Sequence, residues 1–367
     1  MGQEDGEKAA AAADLQPATP KSDSLLATRS QMAQECRAAP DNVAVQLARD
    51  TERYRHLAAL LREHPPIQAV TIARGSSDHA AHYLAYLLMH RLGLWVSSMP
   101  MSLVTLYGSP MQCQGVLALA LSQSGQSPDL IAPVEHLRRG GARTVAWVNQ
   151  PDSPLAAAAE FDLPLHAGPE LSVAATKSYI AQLVAAARLV AHWQQDEALL
   201  GALQALPDGL QAAARLDWSR AVDALRGTTQ LFVIGRGPCL AVAEEAALKF
   251  KETCGIAAEA FSSAEVQHGP MALVRDGFAA LVLAPRGPAQ AGTVALAQRL
   301  RDQGATVVLA APPGTPGADL PLAMAAHELL DPITLVQSFY PMVEQLARER
   351  GMDPDRPPHL RKVTRTA

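Results

Sequence analysis

Aromatic side chains make up only 4% of this 367-residue chain, although hydrophobic residues reach 49%. An all-β protein draws heavily on aromatic and β-branched residues. A composition led by Ala and Leu points instead to a packed, helix-rich α/β protein. Charge of one sign is also missing. The formal net charge is −5 at pH 7 and no basic stripe stands out, which removes the electrostatic case for a nucleic-acid partner. Cysteine is sparse: Cys36, Cys113, Cys239 and Cys254 form no CxxC pair, and no His/Cys cluster has zinc spacing. These thiols read as buried or free groups in a reducing compartment. No apolar run is long enough to span a bilayer, and the N-terminus lacks the apolar core of a secretory signal. The expectation is a soluble, cytoplasmic protein with neither a membrane nor a nucleic acid as partner.

The length allows two or three domains. Residues 1–24 carry few large apolar side chains and cannot offset the entropy of ordering, so this stretch reads as a disordered tail. Residues 25–63 read as a helical lead-in, with Ser30 and Asp41 as candidate caps. Alternation then begins. Strands are expected at 68–73, 116–121 and 144–148, with helices at 77–92, 128–139 and 173–192. The pattern returns with strands at 231–235, 279–284 and 306–311 and helices at 241–253 and 292–302. Such alternation implies parallel sheets with right-handed crossovers. Three landmarks keep their register between the halves. Gly75, Gly115 and Gly141 answer to Gly237, Gly277 and Gly304, at offsets of 162, 162 and 163. Two homologous α/β domains are therefore expected, at 64–195 and 215–350, joined near 195–220. Ligands in such sheets bind at the carboxyl ends of the strands.

Four clusters suggest chemistry. Ser122-Gln123-Ser124-Gly125-Gln126-Ser127 follows a buried strand, with Ser127 placed as N-cap and Pro128 as the first helical residue. Hydroxyls, backbone N–H groups and a helix dipole at one place suit a phosphate. Arg74-Gly75-Ser76-Ser77 is a second turn facing the same crevice, weak on its own. Ser172-Val173-Ala174-Ala175-Thr176-Lys177 opens a long helix; small residues there admit a ligand to the backbone, and a plain N-cap at Ser172 fits equally well. Glu245, Lys249 and Glu252 share one helical stripe. An i,i+4 surface pair would explain Glu245 and Lys249 alone. The following segment, with His268 before Gly269-Pro270, brings a histidine near the carboxylates, and that combination suits proton transfer beside a carbonyl.

Together, ARGSSDHA, SQSGQSPDL, GPELSVAATKSYI, GRGPCLAVAEEAALKFKETCG, AEAFSSAEVQHGPMAL and DPDRPPHLRKVT resemble the double-SIS (sugar isomerase) family over residues 30–367. The resemblance is to the isomerase half of glucosamine-6-phosphate synthase, and still more to stand-alone SIS-type glucosamine-6-phosphate deaminases. It implies two tandem SIS domains and a sugar-phosphate substrate. Ser77, Ser122, Gln123, Ser124 and Ser127 would hold phosphate and sugar, with Val173 and Ala175 lining the pocket through their backbone. It assigns Glu252 to moving the proton between C1 and C2, His268 to opening the ring, and Glu245 and Lys249 to supporting the sugar. Lys362, in a tail at 351–367, would cap the site. It further implies no metal or other cofactor, and a homodimer whose partner supplies the histidine.

Two departures matter. The chain starts Met1-Gly2-Gln3 rather than with a nucleophilic cysteine, leaving no room for a glutaminase domain before residue 65, and Arg361 stands where synthases have a small residue. Both point toward the deaminases. The alternatives are a relative acting on galactosamine 6-phosphate or a fructosamine-type sugar, an ammonia-dependent aminotransferase, or a non-enzymatic sugar-phosphate regulator.

Overall fold

The computed structural model describes residues 30–362; the tail expected at 1–24, the start of the lead-in and the end of the C-terminal tail lie outside them. The first sheet contains β1 (Gln68–Ile72), β2 (Val96–Ser98), β3 (Val116–Ser122), β4 (Arg143–Val148) and β5 (Phe161–Pro164). The second contains β6 (Gln230–Gly235), β7 (Ala257–Ser262), β8 (Ala279–Leu283), β9 (Thr306–Ala311) and β10 (Leu320–Pro321). The strand orders are β2-β1-β3-β4-β5 and β10-β9-β8-β6-β7, and every pairing is parallel. Read from opposite edges the two orders are the same, so the chain repeats one α/β topology. The glycine landmarks confirm the register in backbone terms. Gly75 and Gly237 have φ of 55° and 62°, Gly115 and Gly277 73° and 77°, and Gly141 and Gly304 91° and 85°, all left-handed values that favour glycine.

Alternate residues of each sheet enter different cores. Leu117, Leu119 and Leu121 join Leu231, Val233 and Leu281 in one cluster between the sheets. Ala118 and Ala120 face an outer cluster with the helix Pro128–Arg139, and Ala280 and Val282 face its counterpart with the helix Gln290–Asp302. The central cluster takes in the helices Ser76–Leu92, Lys177–Gln194, Leu240–Cys254 and Asp331–Glu349. The two repeats therefore share a core and are held together by burial rather than by a linker. The join at 195–220 is itself mostly helical.

The lead-in is two helices, Gln31–Ala48 and Thr51–Glu63. Ser30 caps the first by accepting from Ala33 N–H, but Asp41 caps nothing: the helix runs through it and through Pro40. An interior proline costs about 3 kcal/mol, and the helix continues because Met32, Cys36, Ala39, Val43 and Leu47 all enter the central core. Arg188 secures the helix end by donating to the carbonyls of Gln46, Leu47 and Arg49. The helix expected from residue 173 begins at Lys177. Its would-be first turn is held open by carboxylates: Glu35 accepts from the N–H groups of Leu171 and Ser172, and Glu170 from those of Thr176 and Ser178. Among the described residues, no helix is long and apolar enough to cross a membrane.

Candidate functional site

A cavity of about 340 Å³ opens at the carboxyl ends of β1 and β3. The loop after β3 contributes Ser122, Gln123, Ser124 and Ser127 to its lining, and the turn after β1 contributes Ser77. Within the loop, Ser122 Oγ accepts from Gly125 N–H at 2.9 Å and Ser124 Oγ from Gln126 N–H at 3.3 Å. Gly125 has φ of 64°, and a Cβ there would fall 2.2 Å from Ser153 Oγ, so only glycine permits this curl. Ser127 has N-cap backbone geometry, with Pro128 first in the helix, but its hydroxyl makes no capping bond and remains on the cavity wall. Ser77 is held by Gln182, whose Nε2 donates to Ser77 Oγ at 2.9 Å.

Val173 and Ala175, in the segment that the carboxylates keep non-helical, form a second wall. Lys362 closes the cavity from the C-terminal end of the described chain. Its Nζ donates to Ser172 O at 2.7 Å and lies 3.2 Å from Glu170 Oε2. Glu170 is fully buried. Burial alone would raise its pKa, but Lys362, the Ser178 hydroxyl and two backbone N–H groups outweigh it and hold the carboxyl below its ordinary range. Arg74 and Arg361 add two guanidinium groups to the lining.

Glu252 reaches this cavity from the other repeat, near the end of the helix Leu240–Cys254. Behind it, Lys249 pairs with Glu252 and lies 3.5 Å from Glu245 Oε1, with both Lys249 and Glu245 side chains wholly buried. Burial by itself would favour the neutral amine, but Glu245 and Glu252 prevail and raise the Lys249 pKa. Glu245 is completed by Tyr340 Oη at 3.2 Å and His79 Nδ1 at 3.1 Å. Neither Glu245 nor Lys249 lines the cavity; they brace Glu252 from beneath. His268 is exposed on the turn after a short 3₁₀ segment and is not part of this cavity.

Of the residues singled out by sequence, nine meet at the cavity, two lie under it and one stands apart. Sequence reasoning did not single out Glu170, Glu35 or Gln182, which set the loop and Ser77. Only Glu170 carried a signal, as an acid in a short Gly-Pro loop ahead of a helix.

The SIS domain model matches this sequence twice, at residues 63–191 and 224–347. The chain belongs to the SIS domain family. A protein from Silicibacter pomeroyi DSS-3 designated a phosphosugar isomerase is 42% identical to this SIS chain, covering 89% of it and 100% of that structure, with a TM-score of 0.85. The isomerizing glutamine–fructose-6-phosphate aminotransferase of Zymomonas mobilis is 34% identical over 273 residues, 70% of this chain and 45% of that protein. The chain spans about half the length of the curated relatives it matches. Glucosamine-6-phosphate deaminase from Thermotoga maritima shares the fold at 21% identity, with a TM-score of 0.73 over 92% of this chain and 100% of that one.

Proposed function

We propose that this SIS protein converts glucosamine 6-phosphate to fructose 6-phosphate and ammonia. The observation that carries the reading is the shared cavity: a hydroxyl-rich loop at a helix start in one repeat faces the Glu252 carboxylate from the other. The loop supplies neutral donors for the phosphate, anchoring the substrate away from the reacting carbons. In the open-chain sugar, Glu252 takes the proton from C2 and returns one to C1. As an N–H proton of the amino group passes to O1, the C1 aldehyde becomes a hydroxymethyl group and C2 becomes a ketimine. Water adds at C2, ammonia leaves and the ketose remains. A positioned acid–base group of this kind gives about 10²–10⁴-fold. Lys249, held charged between Glu245 and Glu252, pairs with the Glu252 carboxylate and keeps it oriented.

Release of ammonia, rather than use of a glutamine amide, is supported by the cysteines. All four are buried, and burial pushes every thiol up, so none of this chain's own thiols suits attack on an amide. His268 remains assigned to ring opening. Its exposed turn lies off its own chain's cavity, an arrangement suited to a homodimer in which each copy completes the other's site.

The test is a coupled assay for fructose 6-phosphate and ammonia, with glucosamine 6-phosphate and without glutamine. No turnover of that sugar beside strong turnover of galactosamine 6-phosphate would move the assignment to the other epimer. Strong turnover of an N-carboxyalkyl amino sugar phosphate instead would assign the guanidinium groups of Arg74 and Arg361 to a second anionic group on the substrate.

A further inference from the structure

The repeat that builds the site is present twice, and so is the crevice. A larger cavity, about 700 Å³, opens at the carboxyl ends of β6 and β8. Its lining follows that of the first at an offset of 162 residues. Arg236 stands for Arg74, Gly237 for Gly75 and Cys239 for Ser77. The loop Ala284-Pro285-Arg286 replaces Ser122-Gln123-Ser124. The correspondence extends across the seam between the repeats. Glu252 enters the first cavity from the second repeat, and its counterpart His90 enters the second cavity from the first.

The chemistry has diverged. The hydroxyls of the phosphate loop are absent, and a histidine replaces the carboxylate, so a ligand here meets no equivalent of Glu252. Arg286 does not act as a free cation. It binds Asp331 through two contacts, of 2.8 and 2.7 Å, and donates to Ala325 O at 2.6 Å. Arg236 differs: its guanidinium is exposed on the cavity wall, and no hydrogen bond or ion pair engages it among the described residues. A guanidinium fork matches phosphate oxygens bidentately. The helix Gln290–Asp302 starts on the same wall, adding its positive end. Glu328 and Ser262, also on the lining, supply an acceptor and a hydroxyl for sugar hydroxyl groups. The volume falls within the range of small-molecule sites, about 300–1,000 Å³.

We infer that the second crevice is a binding site for a phosphorylated sugar that is held without being converted, with Arg236 as its phosphate ligand. Its position gives it a physical link to the first. The helix Ser76–Leu92 starts at the first cavity and carries His90 to the second, while the helix Leu240–Cys254 starts beside the second and carries Glu252 to the first. Occupancy of either crevice therefore bears on a helix that serves both.

Calorimetric titration tests this with fructose 6-phosphate and, separately, glucose 6-phosphate on the full chain. The proteins are wild type, a Ser122→Ala/Ser124→Ala variant that disables the first loop, Arg236→Glu, and the combination of all three changes. The expected result for at least one sugar is two equivalents per chain in wild type. One equivalent remains in the serine variant, one in Arg236→Glu, and none in the combination. A single equivalent unaffected by Arg236→Glu, or a second equivalent that survives it, would overturn the inference. Turnover is not the readout, so a failure of the deaminase assignment would leave these stoichiometries unchanged. Arg236 is exposed, and a thermal unfolding scan of Arg236→Glu separates a lost site from a lost fold.

Discussion

His79 Nδ1 lies 3.1 Å from Glu245 Oε2, so a side chain of the first repeat completes the hydrogen bonding of a fully buried carboxylate in the second. The same Glu245 holds Lys249, which holds Glu252. A contact between repeats is thus two side chains removed from the proposed base.

Removing the imidazole leaves a buried carboxylate oxygen short of a partner, which costs about 1–3 kcal/mol. His79→Ala is expected to lower the urea midpoint by the corresponding amount and to lower kcat more than it raises KM, since the disturbance reaches Glu252 rather than the phosphate loop. An unchanged midpoint would show that the His79–Glu245 bond contributes nothing net.

Ser124→Ala removes a hydroxyl from the phosphate loop. A hydrogen bond to a charged group is worth about 1.5–3 kcal/mol, which corresponds to a rise in KM of roughly 10- to 100-fold. Steady-state kinetics against the sugar phosphate checks this, and a KM within twofold of wild type would remove Ser124 from the site.

Glu170 makes the Lys362 contact depend on pH. Its carboxyl titrates below the ordinary 4.5 when folded. Its contribution to stability is therefore complete above that value and is lost as pH falls through the lower, folded one. Glu170→Gln should be less stable than wild type at pH 7, with the gap closing as pH drops below about 4. Paired urea titrations across this range measure it; a gap that stays constant would mean that the cost of Glu170→Gln lies in packing rather than in charge.

Glu252→Gln should abolish turnover while sugar-phosphate binding by calorimetry stays nearly intact, and His268→Ala should also be nearly inactive. If each site of a dimer takes Glu252 from one copy and His268 from the other, mixing the two inactive proteins creates heterodimers with one intact site. Activity then recovers to a sizeable fraction of wild type after subunit exchange. Continued inactivity, with exchange demonstrated by mass spectrometry of labelled chains, would place both residues in one subunit's site.

The buried central strands were legible because they are continuous apolar runs, as in Val116–Leu121, and the repeat was legible because left-handed glycines hold its turns in register. The edge strands were not: β2, β5 and β10 have only 3, 4 and 2 residues, and β7, though six residues long, is mostly unburied and carries no apolar run. The helix Asp331–Glu349 was missed as well; Pro332 at its start and Pro341 within it resemble breaks, yet most of its length is packed in the core. At the site, loop residues were legible because hydroxyl and glycine clusters are local in sequence. Glu35 was not, because its role depends on backbone groups 136 and 137 residues away. The helix expected to start at Val173 illustrates the same limit: Glu35 from a distant helix, together with Glu170 in the preceding loop, overrides a locally favourable first turn.

The complete burial of Lys249 at the seam makes it a clock for the separation of the two repeats. An amine held between two carboxylates and closed to solvent cannot meet an acylating reagent while the seam is shut, whereas Lys251, exposed on the same helix, can at any time. The ratio of acylation at these two neighbours, followed by peptide mass spectrometry, reads the opening frequency of the seam against an internal standard. Ligands that tighten the seam lengthen the lifetime of unmodified Lys249 and leave that of Lys251 unaltered.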